Sequence, residues 1–452
     1  MRRLLTLTGL VLAATLLGGC AVTAPETDYP DRAREAIGDV TSWPALDGGE
    51  PTAYLNQLVG SSRLDALIQE ALAANPNLQQ TLLTLRIRRS ERRQTGADRL
   101  PDLDTELTGS REEDSDTRYT GSVTVSWEAD VWGRIADTYR AADLDVAEQR
   151  ALYQSTRDTL ASEVMDSWLQ LIADRRAVDI QTQRLGTLQD NLTFVRERYR
   201  KGIGDIDDLD TARTDLASAR ATLAEYREDL ASERRSLREM LGRSDDAEIP
   251  VPSDYPGVRV PLVDLPVQTL GRRPDLRADY IAIQAQAART RAAYKDMLPS
   301  LDLQASLEDV ATTPRQALLT APVWSLLADL TAPLYRGGEL KAAAEQAELE
   351  AAKAYQAYRE TLLTAVTEVG DAIGQEQALK TRLAHTRDAL ASARRSLANY
   401  RRRYRAGLVT ILDLLDVQEQ TYDLEAQLNE LTRSRLANRV DLGLALGLGV
   451  HR

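Results

Sequence analysis

The sequence predicts a mainly α-helical protein with a small β part, built as a tandem repeat. Two proline-free helical patterns of about 65 residues each, 135–199 and 338–404, dominate the chain, and each would reach roughly 100 Å if unbroken. Between helical patterns lie short stretches in which apolar residues recur at every second position, which is typical of strands with one apolar face. Matching landmarks recur about 200 residues apart over nearly the whole chain, which indicates a duplication.

The N-terminus has the features of a secretory signal. Arg2 and Arg3 precede an apolar run from Leu4 to Leu17, which is short for a permanent membrane helix and ends in Gly18-Gly19-Cys20. Small residues before a cysteine resemble a bacterial lipobox, and Cys20 is the only cysteine of the chain. We therefore expect residues 1–19 to be removed and Cys20 to carry a diacylglycerol and an acyl chain. The alternative is an ordinary signal peptide with an incidental cysteine.

Composition argues against two classes of protein. The net charge of −13 becomes −15 once Arg2 and Arg3 are removed, whereas a nucleic-acid-binding protein usually has a basic balance or a concentrated basic face. The chain holds only two histidines, His385 in a solvated helical pattern and His451 next to the C-terminus. No acidic pair lies in a context that predicts a cleft. We expect no enzyme activity, no nucleic-acid partner, no metal and no cofactor beyond the lipid on Cys20.

The chain divides into six predicted parts. The segment 20–61 is rich in Pro, Asp, Gly and Thr without sustained periodicity and is predicted to be an extended tether. The segment 243–273 contains several prolines and is predicted to be a linker without regular helix. The other four predicted parts are the signal peptide 1–19, a first repeat 62–242, a second repeat 274–447 and a tail 448–452.

Each repeat is predicted to contain a helix, a β-hairpin and a long helical hairpin. In the first repeat the helix spans about 64–97 with a break at Pro76, and the second strand of the hairpin runs from Gly121 to Val131. In the second repeat the corresponding strand runs from Trp324 to Leu334. After residue 205 leucines recur every seven residues, a spacing that specifies a coiled coil: Leu209, Leu216, Leu223, Leu230 and Leu237.

The two helical hairpins have similar predicted tips. One tip follows Tyr199 and contains Gly202, and the other follows Tyr404 and contains Gly407. A glycine after a basic helical run adopts the left-handed conformation that ends a helix. Two β-hairpins cannot close a membrane barrel, and open sheet edges are not tolerated in hydrocarbon. If these strands lie in a membrane, several chains must contribute to one barrel.

The residues resemble the outer-membrane efflux protein family, the TolC- and OprM-like channels, and most closely its NodT-type lipoprotein branch. The resemblance rests on Trp127–Arg134, Arg272–Arg277 and Ala332–Gly338, together with both tips and the lipobox. It implies a homotrimer in which four strands per chain form one twelve-stranded transmembrane β-barrel, continued by a periplasmic tunnel of twelve helices. It also implies a passive duct that meets a periplasmic adaptor and an inner-membrane pump, which we expect to be of the RND type.

The resemblance also implies roles for individual residues. Asp413 and Asp416 match the acidic pair at the periplasmic gate, where carboxylate rings would repel anions and attract cations. Asp208 matches an acidic gate position of the first repeat, but its usual basic partner position is Val409 here, which puts a salt-bridge lock in doubt. The adaptor-contacting tips would be Tyr199 and Gly202, with Tyr404 and Gly407. From the residues alone, Asp413 could equally begin the return helix as a capping acid.

The predicted function is the exit duct of a tripartite efflux system in the outer membrane of a Gram-negative bacterium. Ala21 follows Cys20 in place of the aspartate that holds lipoproteins in the inner membrane, which favours the outer membrane. One alternative is the outer-membrane component of a type I protein-secretion system. An alternative of another class is a periplasmic coiled-coil adaptor, against which the alternating strands with Trp127 and Trp324 count.

Overall fold

The computed structural model describes residues 27–40, 42–44, 46, 48–114 and 116–451. Cys20 and the predicted signal peptide lie outside the described residues. The chain forms two compact units. The first contains the described residues up to 39 together with 82–152 and 275–361, and the second contains 40–81, 153–274 and the described residues from 362.

The element order confirms the predicted mainly helical fold with four strands. A short 3₁₀ helix covers Leu55–Gln57. The other elements are α1 Tyr29–Gly38, α2 Ser62–Ala74, α3 Pro76–Ala97, β1 Asp102–Ser110, β2 Arg118–Glu128, α4 Arg134–Arg200, α5 Ile206–Met240, α6 Pro266–Arg272, α7 Pro274–Lys295, β3 Ser300–Ala311, β4 Val323–Thr331, α8 Glu339–Arg405 and α9 Ile411–Ala445.

The element lengths match between the two halves of the chain. Helices α3 and α7 have 22 residues each, α4 and α8 have 67 each, and α5 and α9 have 35 each. Pro76 and Pro274, which begin α3 and α7, are 198 positions apart, whereas the starts of α4 and α8 are 205 apart. The second copy is therefore seven residues longer in its hairpin region, and the predicted duplication holds element by element.

The break at Pro76 is a joint between two helices. Pro76 takes the first position of α3, where the N–H that proline lacks would have no helical partner. The Asn75 side chain fills the joint: its Oδ1 accepts from the backbone N–H of Leu78 at 3.0 Å, and its Nδ2 donates to the carbonyl of Met240 at 2.9 Å.

The four strands form one antiparallel sheet within the first unit, in the order β1-β2-β3-β4. The β2–β3 pairing joins the two repeats. Register separates the residues into two faces: Val125 pairs with Leu103 and Ala305 on the apolar face, whereas Thr124 pairs with Asp104 and Ser306 on the polar face. The predicted alternation is thus confirmed for the body of the sheet.

The predicted ends of two strands were wrong. Strand β2 ends at Glu128, before Ala129 and Val131, because the Asp130 carboxylate accepts from the N–H groups of Ile135 and Ala136 at 3.1 and 2.8 Å and turns the chain into α4. Strand β4 ends at Thr331, before Pro333 and Leu334. Proline has no N–H for the ladder, so the strand stops short of it.

The predicted extended tether, 20–61, contains a helix. Helix α1 packs within the first unit, where the Tyr358 hydroxyl donates to the carbonyl of the fully buried Ala33 at 2.9 Å and the rings of Tyr29 and Tyr355 stack at 5.3 Å. In the second unit Leu55 and Leu58 lie in the core. The sequence prediction failed here because α1 is stabilised by aromatic residues more than 300 positions away.

The predicted linker and tail also pack against the body of the second unit. Within 243–273, Pro266 begins α6 because a proline at the first helical position costs no hydrogen bond. Ile249 of the linker and Val450 of the tail join the core around Trp168 and Met165. The prediction that the linker contains no regular helix is therefore wrong for 266–272.

The leucines of the predicted heptads are core residues. Leu209, Leu216, Leu223 and Leu237 are buried, and Leu230 is half-buried. Within the part of the chain that the structure describes, none of the helices combines the length and the apolar character needed to cross a membrane.

Candidate functional site

The first tip is a helix end closed by two backbone hydrogen bonds. The N–H of Gly202 donates to the carbonyl of Tyr199 at 3.0 Å, and the N–H of Ile203 donates to the carbonyl of Arg198 at 3.1 Å. This is the Schellman arrangement, in which a residue with positive φ ends the helix. Gly202 has a φ of +73° and open space where a Cβ would stand, so backbone conformation alone favours glycine there.

The second tip repeats this geometry. The N–H of Gly407 donates to the carbonyl of Tyr404 and that of Leu408 to the carbonyl of Arg403, both at 2.9 Å. Gly407 has a φ of +71° and likewise has open space around the position of a Cβ. The predicted tip residues thus occupy equivalent positions in the two hairpins.

The starts of the two return helices differ. Asp205 caps α5 by accepting from the N–H of Asp207 at 3.2 Å. At α9 a reciprocal capping box forms instead: the Thr410 hydroxyl accepts from the N–H of Asp413 at 3.2 Å, and the Asp413 carboxylate accepts from the Thr410 N–H at 2.8 Å. The Thr410 hydroxyl also donates to Asp413 at 2.6 Å. These hydrogen bonds from Thr410, helped by the Arg403 charge, hold the pKa of Asp413 below its ordinary value.

The two tips meet through one aromatic contact. Phe194 on α4 and Tyr404 on α8 pack edge to face, with ring centroids 5.7 Å apart and planes at 76°. Burial raises the pKa of Tyr404, whereas the side chain of Tyr199 is exposed. The two tyrosines have matching positions in the sequence but different environments.

A cleft of about 990 Å³ lies between the tips and brings two of the predicted gate residues together. Asp208 and Asp413 both line it, as does Val409, the position at which a basic partner was expected. Arginines on the ends of α4 and α8, Arg198 and Arg403, line it as well. The lining of the cleft therefore contains both carboxylates and guanidinium groups even though residue 409 is apolar.

Asp416 lies away from this cleft. It is exposed on α9 and lines a separate hollow of about 670 Å³ with Glu419 and Asp423. Arg184 of α4 forms ion pairs with both of these neighbours, at 3.2 Å in the case of Asp423. Among the described residues Asp416 forms no ion pair, whereas Arg184 partly neutralises its neighbours Glu419 and Asp423.

Sequence reasoning missed Phe194 and Arg403 as members of the site. Phe194 is the only phenylalanine of the chain, and its place eight residues before Gly202 could have marked it. Arg403 belongs to the basic run before the second tip, and this run was used only to predict where the helix ends. In the structure its carbonyl accepts the bond that closes the tip, and its charge acts on Asp413.

Comparisons with known proteins agree with this architecture. The family described as outer membrane efflux protein matches residues 67–243 and 265–448. A pyoverdine export outer membrane protein, OpmQ of Pseudomonas putida, is 27% identical over 409 residues, with 86% of each chain covered. A toluene efflux pump outer membrane protein, TtgC from another strain of Pseudomonas putida, is 26% identical over 98% of this chain and 96% of its own.

A solved structure shares the fold. The Campylobacter jejuni CmeC outer membrane channel superposes with a TM-score of 0.84 at 18% identity, covering 91% of this chain and 92% of its own. The family match spans both repeats, including all four strands and both tips. The chain therefore belongs to the outer membrane efflux protein family.

Proposed function

We propose that this chain is the outer-membrane exit duct of a tripartite efflux system and carries small molecules passively from an inner-membrane pump to the outside. One observation carries the proposal: a four-stranded sheet with one apolar and one polar face is joined to two long helical hairpins that end in matching tips. Family membership supports the same function, because two relatives of this chain are named as a toluene efflux pump outer membrane protein and a pyoverdine export outer membrane protein.

The working unit in this proposal is a homotrimer with one shared barrel. Strands β1 and β4 are the edges of the sheet, and every residue of both is exposed. On β4 the exposed residues include Trp324 and Leu326, each at least 70% exposed. Unpaired edges are costly in hydrocarbon, and they are removed when β1 of one copy pairs with β4 of the next. The bare apolar side chains are costly in water and are stabilised when they face hydrocarbon. Three copies then give twelve strands.

The cleft at the tips supports a gate. Asp208 and Asp413 line it within one chain, and in a trimer each would form a ring of three carboxylates. Asp416, one turn further along α9, would add a third ring. The capping box fixes the Asp413 carboxylate against Thr410, so its role at the start of the helix and its role as a gate charge are compatible. With Val409 apolar, Arg198, Arg403 and Arg405 are the cations in the lining that could hold the cleft closed.

The partners follow from the same arrangement. A periplasmic adaptor would engage the tips at Tyr199 and Gly202 and at Tyr404 and Gly407, and would link the duct to an inner-membrane pump of the RND type. The outer component of a type I protein-secretion system remains the second candidate, and the lipid predicted on Cys20 favours efflux over it. Cys20, acylated after signal cleavage, would anchor the mature chain in the outer membrane of a Gram-negative cell.

Reconstitution tests the proposal. The purified chain should insert into planar lipid bilayers and give discrete, voltage-stable conductance steps. Co-expression with a periplasmic adaptor and an inner-membrane pump should lower the intracellular level of a pump substrate, and omission of this chain alone should restore that level. Full efflux without this chain would contradict the proposal, as would a purified protein that forms no channels.

A further inference from the structure

The connections between sheet and helices carry an unusual set of exposed residues. On the exit of β4, Leu334 and Tyr335 are 94% and 87% exposed. On the exit of β2, Val131 and Trp132 are also exposed. All four lie in the first unit, just beyond the strand ends at Glu128 and Thr331. Such a concentration of bare apolar side chains on an otherwise charged chain marks an interaction surface.

The indole rings at this end are held in fixed orientations. Trp132 Nε1 donates to the carbonyl of Pro299 at 2.7 Å, and Trp127 Nε1 donates to the carbonyl of Arg99 at 3.3 Å. Each indole therefore has its polar edge satisfied by the protein while its ring stays exposed. An apolar body with a satisfied polar edge is what the boundary between hydrocarbon and headgroups favours.

An aromatic residue also marks the opposite end of the apolar face. Tyr119 lies on the same face of β2 as Trp127, eight positions away, which is roughly 26 Å at about 3.3 Å per residue. With the tilt of about 35–45° usual for such strands, this length spans about 20 Å of the apolar band of about 25 Å that outer-membrane sheets present between two aromatic girdles. Trp324 of β4 lies on this face opposite Leu307, which itself pairs with Val123 midway between the two levels. Trp324 therefore lies at the middle of the apolar band, and its fluorescence can report on lipid contact at that depth.

One cation at the junction forms no close ion pair. A cleft of about 410 Å³ is lined by Trp132 and Pro333, by the cations Arg134, Lys295 and Arg336, and by the carboxylates Glu128, Asp130 and Asp296. Arg134 forms an ion pair with Glu128, and Lys295 forms one with Asp137, both at 2.6 Å. Among the described residues, Arg336 forms no ion pair of 4.0 Å or less, although its charge acts on Asp296 across the cleft, and it directly follows the exposed Leu334-Tyr335 pair. A guanidinium at the edge of an apolar surface suits a phosphate group.

We propose that this junction is a phospholipid site: Val131, Trp132, Leu334 and Tyr335 contact the acyl chains and glycerol of a lipid in the inner leaflet, and Arg336 binds its phosphate. The site rests on the proposed barrel, since it needs the apolar face of the sheet to lie in a bilayer. It is continuous with that face, which is why the occupant is a lipid of the surrounding membrane.

Tryptophan fluorescence in vesicles containing brominated lipids tests the contact. Three variants are compared with the parent protein: Trp132→Phe, Trp324→Phe and Trp168→Phe, the last removing a tryptophan buried in the second unit. Bromines near the glycerol end of the acyl chain should quench the fluorescence of the parent more than that of Trp132→Phe. In Trp168→Phe the part of the fluorescence that these bromines quench should be as large as in the parent. Bromines near the terminal methyl of the acyl chain should quench the fluorescence of the parent more than that of Trp324→Phe.

The outcomes separate the two proposals. If Trp324 contributes to quenching and Trp132 does not, the lipid site is wrong while the barrel stands. If neither contributes, the apolar face is not in the bilayer and both proposals fail. Should Trp168→Phe fold poorly, Trp43→Phe, also in the second unit, serves as the control.

Lipid retention tests the role of Arg336. The phospholipid that remains bound to the detergent-purified protein is counted by native mass spectrometry for Arg336→Gln, Arg336→Lys and Arg315→Gln. Arg315 is an exposed arginine in the β3–β4 loop and serves as a matched control. Loss of one charge-assisted contact should lower retention about tenfold in Arg336→Gln. Retention should stay near the parent level in Arg336→Lys and in Arg315→Gln, and equal retention in all variants would overturn the assignment.

Discussion

Phe194 and Tyr404 meet edge to face at the ends of the two longest helices, with their ring centroids 5.7 Å apart. The pair joins the first repeat to the second beside the cleft that contains Asp208 and Asp413. Phe194 lies on α4, eight residues before Gly202, and Tyr404 lies on α8, three residues before Gly407. The two tips are therefore coupled by a contact that is not itself duplicated.

Removal of this contact should loosen the tips without unfolding the body of the unit. For Phe194→Ala we expect hydrogen–deuterium exchange to rise over 403–410, because an aromatic pair of this kind contributes about 0.5–1.5 kcal/mol beyond its buried area. The thermal unfolding temperature should change little. Phe194→Tyr, which keeps the ring, is the control. Unchanged exchange in Phe194→Ala would show that the rings do not stabilise the tips.

The gate assignment predicts a change in conductance. In planar bilayers the double variant Asp413→Ala, Asp416→Ala should conduct more than the parent and show less preference for cations, because two carboxylate rings are removed from a narrow aperture. Asp413 also closes the capping box, so Thr410→Val is needed as a control that loosens the cap and keeps the charge. If Thr410→Val changed the conductance and the cation preference as much as the double variant does, the change would come from the helix cap and not from the gate.

The docked C-terminal tail predicts a pH dependence. Asp158 is buried and accepts from the Val450 N–H and from Gln154, both at Oδ1 and both at 2.9 Å. Burial raises the pKa of Asp158 from 3.8 to about 6. The folded state then binds the proton more tightly than the unfolded state, so this carboxyl contributes stability at low pH that is lost as pH rises from about 4 to about 6.

Asp158→Asn tests this dependence because it keeps an acceptor and cannot ionise. Between pH 4 and pH 7 the free energy of unfolding of the parent should fall relative to that of Asp158→Asn by up to about 3 kcal/mol. The measurement is chemical denaturation of both proteins at several pH values. Asp158→Leu, which removes the acceptor for Val450, should be less stable at every pH. Parallel curves for parent and Asp158→Asn would contradict the assignment.

Cys20 predicts covalent lipid on the mature chain. Cells grown with an alkyne-tagged palmitate should label the parent protein, and Cys20→Ser should abolish the labelling because the diacylglycerol is attached through the cysteine sulfur. Total expression, followed by immunoblot, controls for loss of the protein. Continued labelling of Cys20→Ser would remove the lipid anchor from this account.

Much of this fold could be predicted because its signals are local. Gly202 and Gly407 each follow a basic helical run, and each ends its helix as predicted. The alternation around Val125 likewise predicted a sheet with two unlike faces. These features depend on backbone preference and on polarity at fixed spacing, which are visible in any short window of sequence.

The features that were missed depend on partners far along the chain. Helix α1 was predicted to be extended, because its stability comes from Tyr355 and Tyr358 and not from its own pattern. Pro266 was taken as a bar to helix although it begins one. The Phe194–Tyr404 contact joins residues 210 positions apart, so no local window contains it. Family resemblance implied a gate position for Asp413, and the residues alone allowed it to cap the return helix. The structure identifies Thr410 as its capping partner.

The central claim is that several copies of this chain close one channel through β1 and β4. The most direct test is a disulfide between copies across that edge, with cysteines placed at Thr105 and Leu326 in a Cys20→Ser background. On oxidation the detergent-purified protein should form covalent dimers and trimers, and bilayers should show channels with the parent conductance. A chain that stays monomeric by light scattering, forms no cross-links at any β1–β4 position pair and gives no conductance would contradict the account.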